Sequence, residues 1–314
     1  MAVDRRWVVS NTKSRLRLDR FLSLELPEHS RSQIQAWIRS GDVLLNGSHS
    51  KTGQLLRAGD EVIACEPSPV PDLPLPEPIP LRVIYEDGDL AVIDKPAGLV
   101  CHAGAGRRSG TLVNAILHRW GQVEADDPMR PGIVHRLDKQ TSGVMVIARN
   151  ASAIRSLGRQ FKDREVRKEY LALVYGKVAP PAGTVDAPLG RDPADRKKIS
   201  VRARRRRPAV TRYELLECFG PCSLLSVHPE TGRTHQIRVH LASLGHPVVG
   251  DSVYGGGRRL PGILQPLVSS LGRFFLHAHR LEFRHPRTGL TLEFSAPLPA
   301  ELAQFLNEIR SFRG

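Results

Sequence analysis

Seven of the fourteen residues from Pro67 to Pro80 are proline (67, 69, 71, 74, 76, 78 and 80). Each proline withholds a backbone N–H and fixes φ, so such a stretch is closed to helix and to central strand and is expected to run extended as a semi-rigid spacer. It cuts the 314 residues into a small head, 1–66, a linker, 67–80, and a large body, 81–314. That length is ample for a well-buried core.

In the head, Leu18, Phe21 and Leu22 have the spacing of a short helix. Ser30 followed by Gln33 is a capping box that opens a second helix, with Ile34, Trp37 and Ile38 as its buried face and Gly41 as its stop. Val43–Leu45 reads as a strand entering an Asn46-Gly47 turn, and Gly59-Asp60 turns into a strand over Glu61–Ala64. Arg31, Gln35 and Arg39 alternate with the apolar stripe, on a polar face open either to solvent alone or to RNA. The pattern from Arg17 through Ser30-Arg-Ser-Gln to Val43-Leu-Leu-Asn-Gly47 closely resembles the small RNA-binding module first known from a ribosomal small-subunit protein. That resemblance implies an α/β head that contacts the RNA backbone through Arg31 and Arg39.

The body opens with strand signals at Leu81–Tyr85 and Leu90–Asp94 around a turn at Asp87-Gly88, broken by Lys95-Pro96-Ala97-Gly98. Ile133-Val134 and Val144–Ala148 are further strand candidates. Asn150 caps a helix with Ile154, Leu157 and Phe161 on its face, and Tyr170–Tyr175, apolar on both parities, fits a strand covered on both sides. Strands outnumber helices without alternating strictly with them. The expected class is α+β, built on a mixed, mostly antiparallel sheet.

Charge narrows the function. Lys and Arg number 46 against 32 Asp and Glu, a formal charge of +14, which points to an anionic partner. Eight of the twelve residues from Arg196 to Arg207 are basic and none is acidic. That run, ending in Arg204, Arg205, Arg206 and Arg207, is either a solvated loop or a phosphate-backbone contact with salt-dependent affinity. Cys65, Cys101, Cys218 and Cys222 include no Cys-x-x-Cys pair. The N-terminus has no apolar signal segment, and no stretch is long enough to span a membrane. A cytoplasmic protein with reduced thiols is expected, a monomer by default.

Two clusters are rich in chemistry. In Gly132-Ile-Val-His-Arg-Leu-Asp-Lys-Gln-Thr-Ser-Gly143 a carboxylate, Asp138, lies between the cations Arg136 and Lys139, which favour its ionised form. It is either a nucleophile or base, or half of a surface ion pair. Thr231-Gly-Arg-Thr-His-Gln-Ile-Arg-Val-His240 leads into a helix with the stripe Ile237, Leu241 and Leu244 and the stop Gly245. Thr231–Thr234 then lie at its N-terminus, where free N–H groups attract anions. His235 and His240 are five apart with no zincin glutamate, so no metal site is expected. The glycine patches 104–106 and 255–257 match neither the dinucleotide nor the P-loop fingerprint.

Four blocks, Asp94-Lys-Pro-Ala-Gly98, His135 to Gly143, Lys168-Glu-Tyr-Leu-Ala-Leu-Val-Tyr-Gly176 and Thr231 to His240, resemble in order the pseudouridine synthases of the RluA family. Gly250-Asp-Ser-Val-Tyr-Gly-Gly256 and the head resemble its RluD branch, which acts on large-subunit ribosomal RNA. The resemblance implies the pseudouridine synthase fold and an isomerisation that needs no cofactor and no metal. It makes Asp138 the nucleophile, Tyr170 the residue that stacks on the target base and assists proton removal, and Arg238 the partner of the catalytic carboxylate. Arg136, with His135, Arg233, His235 and Gln236, would hold the opened nucleotide. Extruding a uridine from stacked RNA costs a few kcal/mol, and a tyrosine ring returns stacking of roughly 1–3 kcal/mol. Gln140, where the family often has Asp, and Cys101-His102-Ala103, where Val-His-Pro is common, depart from the pattern. A transfer RNA synthase of the same family and a non-catalytic ribosome-assembly factor are the alternative readings.

Overall fold

The computed structural model describes residues 3–66, 73–102, 109–123, 127–195, 198–262 and 264–311. The chain divides into two units, Met1–Asp72 and Leu73–Gly314.

The first unit contains β1 (Val3–Val8), α1 (Leu18–Glu25), α2 (Arg31–Ser40), β2 (Val43–Leu45), β3 (Ser48–His49) and β4 (Glu61–Glu66), with its strands ordered β1-β4-β2-β3, all antiparallel. The Ser30–Gln33 capping box forms, and Gly41 ends α2 in the left-handed region. Asn46 and Gly47 both have positive φ, as a two-residue type I′ hairpin requires. Leu18, Phe21, Leu22, Ile34 and Ile38 are buried, with Trp37 packed at the edge of that core. Two features depart from expectation. The sheet has a first strand, β1, whose charged Asp4, Arg5 and Arg6 hid its pairing with β4. The polar stripe of α2 is not simply solvated. Arg31 and Gln35 donate to Asp19 of α1 at 2.9 and 2.7 Å, and Arg17 adds a third donor at 3.0 Å, around a carboxylate that is 0% exposed. These donors outweigh the burial cost and hold Asp19 well below the usual carboxylate range. Arg39 is exposed, and its Nε donates to the Gln35 carbonyl.

In the second unit, residues 73–80 form neither helix nor strand and lie docked on the unit. The Leu75 carbonyl accepts from Asn114 at 2.7 Å, and the Glu77 carboxylate takes the Gly110 N–H at 3.0 Å. The course expected of Pro67, Pro69 and Pro71, the glycine patch at 104–106 and the basic residues 196 and 197 lie outside the described residues.

The unit continues with β5 (Arg82–Glu86), β6 (Leu90–Lys95), α3 (Leu112–Trp120), β7 (Ser142–Ala148), α4 (Ala151–Lys162), β8 (Arg167–Tyr175) and β9 (Ala182–Asp186). It is completed by β10 (Gly190–Arg191), β11 (Ile199–Ser200), β12 (Val210–Cys218), β13 (Cys222–Pro229), α5 (Gln236–Ser243), α6 (Gln265–Leu271), β14 (Leu276–Arg284), β15 (Thr291–Ser295) and α7 (Ala300–Ser311). Nine strands form one mixed sheet, β5-β6-β7-β14-β8-β13-β12-β9, with β15 also on β14, and the β7–β14 pairing is the parallel one. On one edge β14 pairs with β8. Its other edge is divided, with His277 and Ala278 pairing with β7, and Arg280–Arg284 pairing with β15. Strand β7 is buried along its whole length, as a strand covered on both faces should be. Asn150 caps α4 by accepting the Ala153 N–H. Ile133-Val134 forms no strand, only a single bridge from Ile133 to Ile147, because the chain turns at once into the loop that carries Asp138. Leu244 falls at the end of α5 and is 41% exposed, so the buried stripe of that helix stops at Leu241.

Candidate active site

The loop 135–141 leads directly into β7, an interior strand of the sheet, and is held from behind by the block at 95–101. Lys95, fully buried, donates through Nζ to the carbonyls of Pro96 and Leu99 at 2.8 and 3.0 Å, and more weakly to that of Lys139 at 3.4 Å. Gly98 N–H also reaches the Lys139 carbonyl, at 2.8 Å, and the Cys101 thiol bridges the backbone of Leu137. Burial lowers the Lys95 pKa to about 8, and its three carbonyl acceptors explain why a lysine is tolerated there.

On this platform Asp138 meets Arg238 of α5, Nη1 to Oδ2 at 3.1 Å, across 100 residues of sequence. The sequence neighbours Arg136 and Lys139 are not its partners: Arg136 turns its guanidinium to His102 at 3.3 Å. Arg238 is itself locked. Its Nε and Nη2 donate to the two oxygens of Asp251 at 2.7 and 2.9 Å, while its guanidinium lies over the rings of Phe274 and Tyr254 at 4.3 and 5.0 Å from their centres. Burial opposes the charge on Arg238, but Asp251 and Asp138 outweigh it and hold its pKa above the ordinary value. The side chains of Arg238 and Asp251 are 5% and 0% exposed and that of Asp138 is 17%, so the ion-pair cluster opens to solvent at Asp138.

Asp138, Tyr170 and Arg238 line one cavity of about 460 Å³, together with Arg136, His135, Arg233, His235 and Gln236. Its size falls in the roughly 300–1,000 Å³ range of ligand pockets. Tyr170 projects from β8. Burial, reinforced by the charge of Asp138, pushes its phenol well above the ordinary tyrosine pKa, so it presents a neutral aromatic face. His135 is stacked on Phe161 and accepts the Val146 N–H at Nε2; burial lowers its pKa to about 3, leaving it neutral. Gln236 is saturated: Oε1 accepts from Thr231 and Arg233 N–H, and Nε2 donates to Val210 and Thr211. It therefore shapes the turn before α5 and uses the N–H of Arg233 that the sequence assigned to an anion. His235, in the left-handed region at the start of α5, hydrogen-bonds the Tyr254 hydroxyl at 2.8 Å, and Arg233 Nε donates to the Pro208 carbonyl at 3.2 Å.

Arg204, Arg205, Arg206 and Arg207 do not line the cavity. They are exposed on the segment between β11 and β12, whose backbone is pinned by Leu189–Arg207 hydrogen bonds and by buried Ala203. Arg31 and Arg39 belong to the first unit. Asp251, Tyr254, Lys95 and Lys168 complete the site without having been singled out by sequence. The first two stand in the Gly250–Gly256 block and the lysines in the blocks at 94 and 168, so block membership was the available signal; nothing marked Phe274.

The family model described as RNA pseudouridylate synthase matches residues 89–243, and that of the S4 domain matches residues 16–62. The chain is 46% identical over 310 residues to ribosomal large subunit pseudouridine synthase D of Xanthomonas campestris pv. campestris, covering 98% of this chain and 92% of that one. It is 49% identical over 309 residues to an uncharacterized RNA pseudouridine synthase of Chloroflexus aurantiacus, covering 98% and 95%. Among solved structures, human RNA pseudouridylate synthase domain containing 4 superposes with a TM-score of 0.58 at 28% identity, over 73% of this chain and 93% of that one.

Proposed function

The chain belongs to the RluA family of RNA pseudouridine synthases, and from that premise we propose that it isomerises uridines of large-subunit ribosomal RNA, with Asp138 as the nucleophile. The observation that carries the mechanism is the Asp138–Arg238 pair at the open end of a buried ion cluster, in one cavity with Tyr170. The extruded uridine stacks on the neutral ring of Tyr170, which replaces stacking lost from the RNA. Asp138 forms an ester bond to C1′ as the N-glycosidic bond breaks, and Arg238 fixes the attacking oxygen. The freed base turns and rejoins through C5, after which C5 loses its proton and N1 gains one. With its raised pKa, Tyr170 enters as a stacking surface rather than a ready base. Arg136 and Arg233 at the cavity wall hold the sugar and phosphates. The large-subunit substrate is supported by relatives bearing that name at 46% identity over nearly the whole chain.

The deciding experiment maps pseudouridine by carbodiimide chemistry across total RNA from cells lacking the protein and complemented with wild type or Asp138→Asn. Loss of discrete large-subunit sites, restored by wild type alone, is expected. Loss at transfer RNA sites would move the substrate; restoration by Asp138→Asn would sink the nucleophile assignment.

A further inference from the structure

The cavity holds several cations, and most are accounted for. Arg238 is committed to two carboxylates. Arg233 and Arg136, which already contact a carbonyl and His102, are assigned to the sugar and phosphates, and Lys162 and Arg164 are exposed at the rim. Lys168 differs from all of these. It lines the cavity from β8 and is half-buried, and among the described residues it makes no hydrogen bond or ion pair. The charged and titratable groups around it come from neighbouring elements: Arg164 after α4, Glu230 after β13 and neutral His135. Glu230 already pairs with Arg212 at 2.7 Å. Withdrawing an unpartnered ammonium from water is unfavourable, and a lysine kept there is a candidate for a bound partner.

Strand geometry indicates where that partner lies. Alternate residues of a strand share a face and sit about 6.7 Å apart. Glu169 points to the opposite face, accepting from Ser226 at 3.0 Å and facing Arg280 at 3.7 Å. Lys168 and Tyr170 therefore flank the same space and line the same cavity, and a flexible four-carbon stem is long enough to span the spacing between them.

We propose that Lys168 is a further catalytic residue: its ammonium lies against the base stacked on Tyr170 and stabilises the negative charge carried by the uracil ring between glycosidic cleavage and carbon–carbon bond formation. The proposal rests on Asp138 acting as nucleophile. When the Asp138 oxygen bonds to C1′, the C1′–N1 electron pair leaves with the base, so the carboxylate charge passes to uracil and spreads over O2 and O4. Attack of C5 on C1′ returns that charge to Asp138; the C5 proton then departs and N1 is protonated, and the sum is an isomerisation. A cation beside those oxygens favours the charged intermediate over the neutral substrate, which is the requirement for raising kcat. Burial, aided by Arg164, lowers the Lys168 pKa to about 8, so the required protonated form fades as pH rises through that region.

The test uses the full-length chain, large-subunit RNA transcribed with [5-³H]uridine, and tritium release as the readout for wild type, Lys168→Met, Lys168→Arg and Asp138→Asn. Lys168→Met is expected to lower kcat about 100-fold, as loss of one preorganised electrostatic group does, with KM little changed. Lys168→Arg should recover most of that loss. The wild-type kcat should fall on the alkaline side, with that limb moved upward in Lys168→Arg. Unchanged kcat in Lys168→Met, or a defect confined to KM as a phosphate contact would give, overturns the proposal while inactive Asp138→Asn leaves the nucleophile standing. Full tritium release by Asp138→Asn removes both. Should Lys168→Met fold poorly, an alkaline limb unmoved in Lys168→Arg overturns the proposal on its own.

Discussion

Arg238 holds Asp251 through two parallel hydrogen bonds, Nε to Oδ2 at 2.7 Å and Nη2 to Oδ1 at 2.9 Å, and this leaves Nη1 to meet Asp138. A guanidinium anchored on one side by a fork cannot pivot, so the direction from which it meets Asp138 is set by a carboxylate with no exposure of its own. Asp251 also accepts the N–H groups of Val253 and Tyr254, which ties that direction to the backbone of the loop.

Asp251→Asn is therefore expected to lower the single-turnover rate by about 100-fold, the scale of a small misplacement of reacting groups. RNA affinity should change little. The measurement is a rate and a filter-binding Kd on the same RNA; a normal rate would show that Arg238 needs no anchor.

Gly143 follows the loop that carries Asp138, with φ +120°, and a Cβ there would lie 2.1 Å from the Ala278 carbonyl oxygen. Neither backbone can yield without parting β7 from β14. Gly143→Ala should cost roughly 4 kcal/mol or more, read as a large fall in melting temperature or as insoluble protein. A melting temperature within about 2 °C of wild type would contradict the close approach.

Acid should weaken the second unit before its carboxylates titrate. Buried His277 accepts from the Ser142 hydroxyl, which in turn accepts from Arg273, and donates to the Ala296 carbonyl. Burial lowers its pKa to about 4, helped by His279 and Arg273, and lowers that of His135 to about 3. Between the unfolded value of about 6.5 and these folded values the unfolded chain binds more protons, so stability falls as pH falls, by up to about 1.4 kcal/mol per pH unit for each histidine. Urea midpoints at pH 7, 6 and 5 check this; a midpoint constant from 7 to 5 is the contrary result.

Asp19→Ala removes the carboxylate that joins α1 to α2 and strands Arg17, Arg31 and Gln35. The arginines left behind are 49% and 58% exposed and can be rehydrated, so the cost is that of the lost hydrogen bonds to a charged group, about 2 kcal/mol. Hydrogen exchange should show α1 and α2 losing protection while β8 and β13 keep theirs, since the two units are separate cores.

Local chemistry explains what could be read in advance. The capping box at Ser30, the Asn46-Gly47 hairpin, the Asn150 cap and the apolar run of β7 each depend on residues a few positions apart, and each formed as expected. Strand β1 escaped because an edge strand need show only one apolar face, and its charges masked even that. At the candidate site, the blocks named Asp138, Tyr170 and Arg238, which line one cavity. The pairing of Asp138 with Arg238 came from the family resemblance and not from the adjacent cations Arg136 and Lys139, because electrostatic neighbours are set by the fold and Arg238 arrives from 100 residues away. The saturation of Gln236 and the burial of Asp19 likewise depend on contacts that periodicity does not encode.

The divided edge of β14 also governs when this protein becomes an enzyme. Its short parallel seam joins Ser142 and Gly143 to His277 and Ala278, and the Ser142–His277 hydrogen bond closes 135 residues of chain. Contacts so distant in sequence form late, after the entropy of closing the intervening loop has been overcome. A growing polypeptide that already carries Asp138, Tyr170 and Arg238 still lacks Phe274 under the guanidinium and β14 beside the loop. Competence thus arrives only with the last part of translation, and a chain stopped short of Arg273 would own every proposed catalytic group while remaining silent.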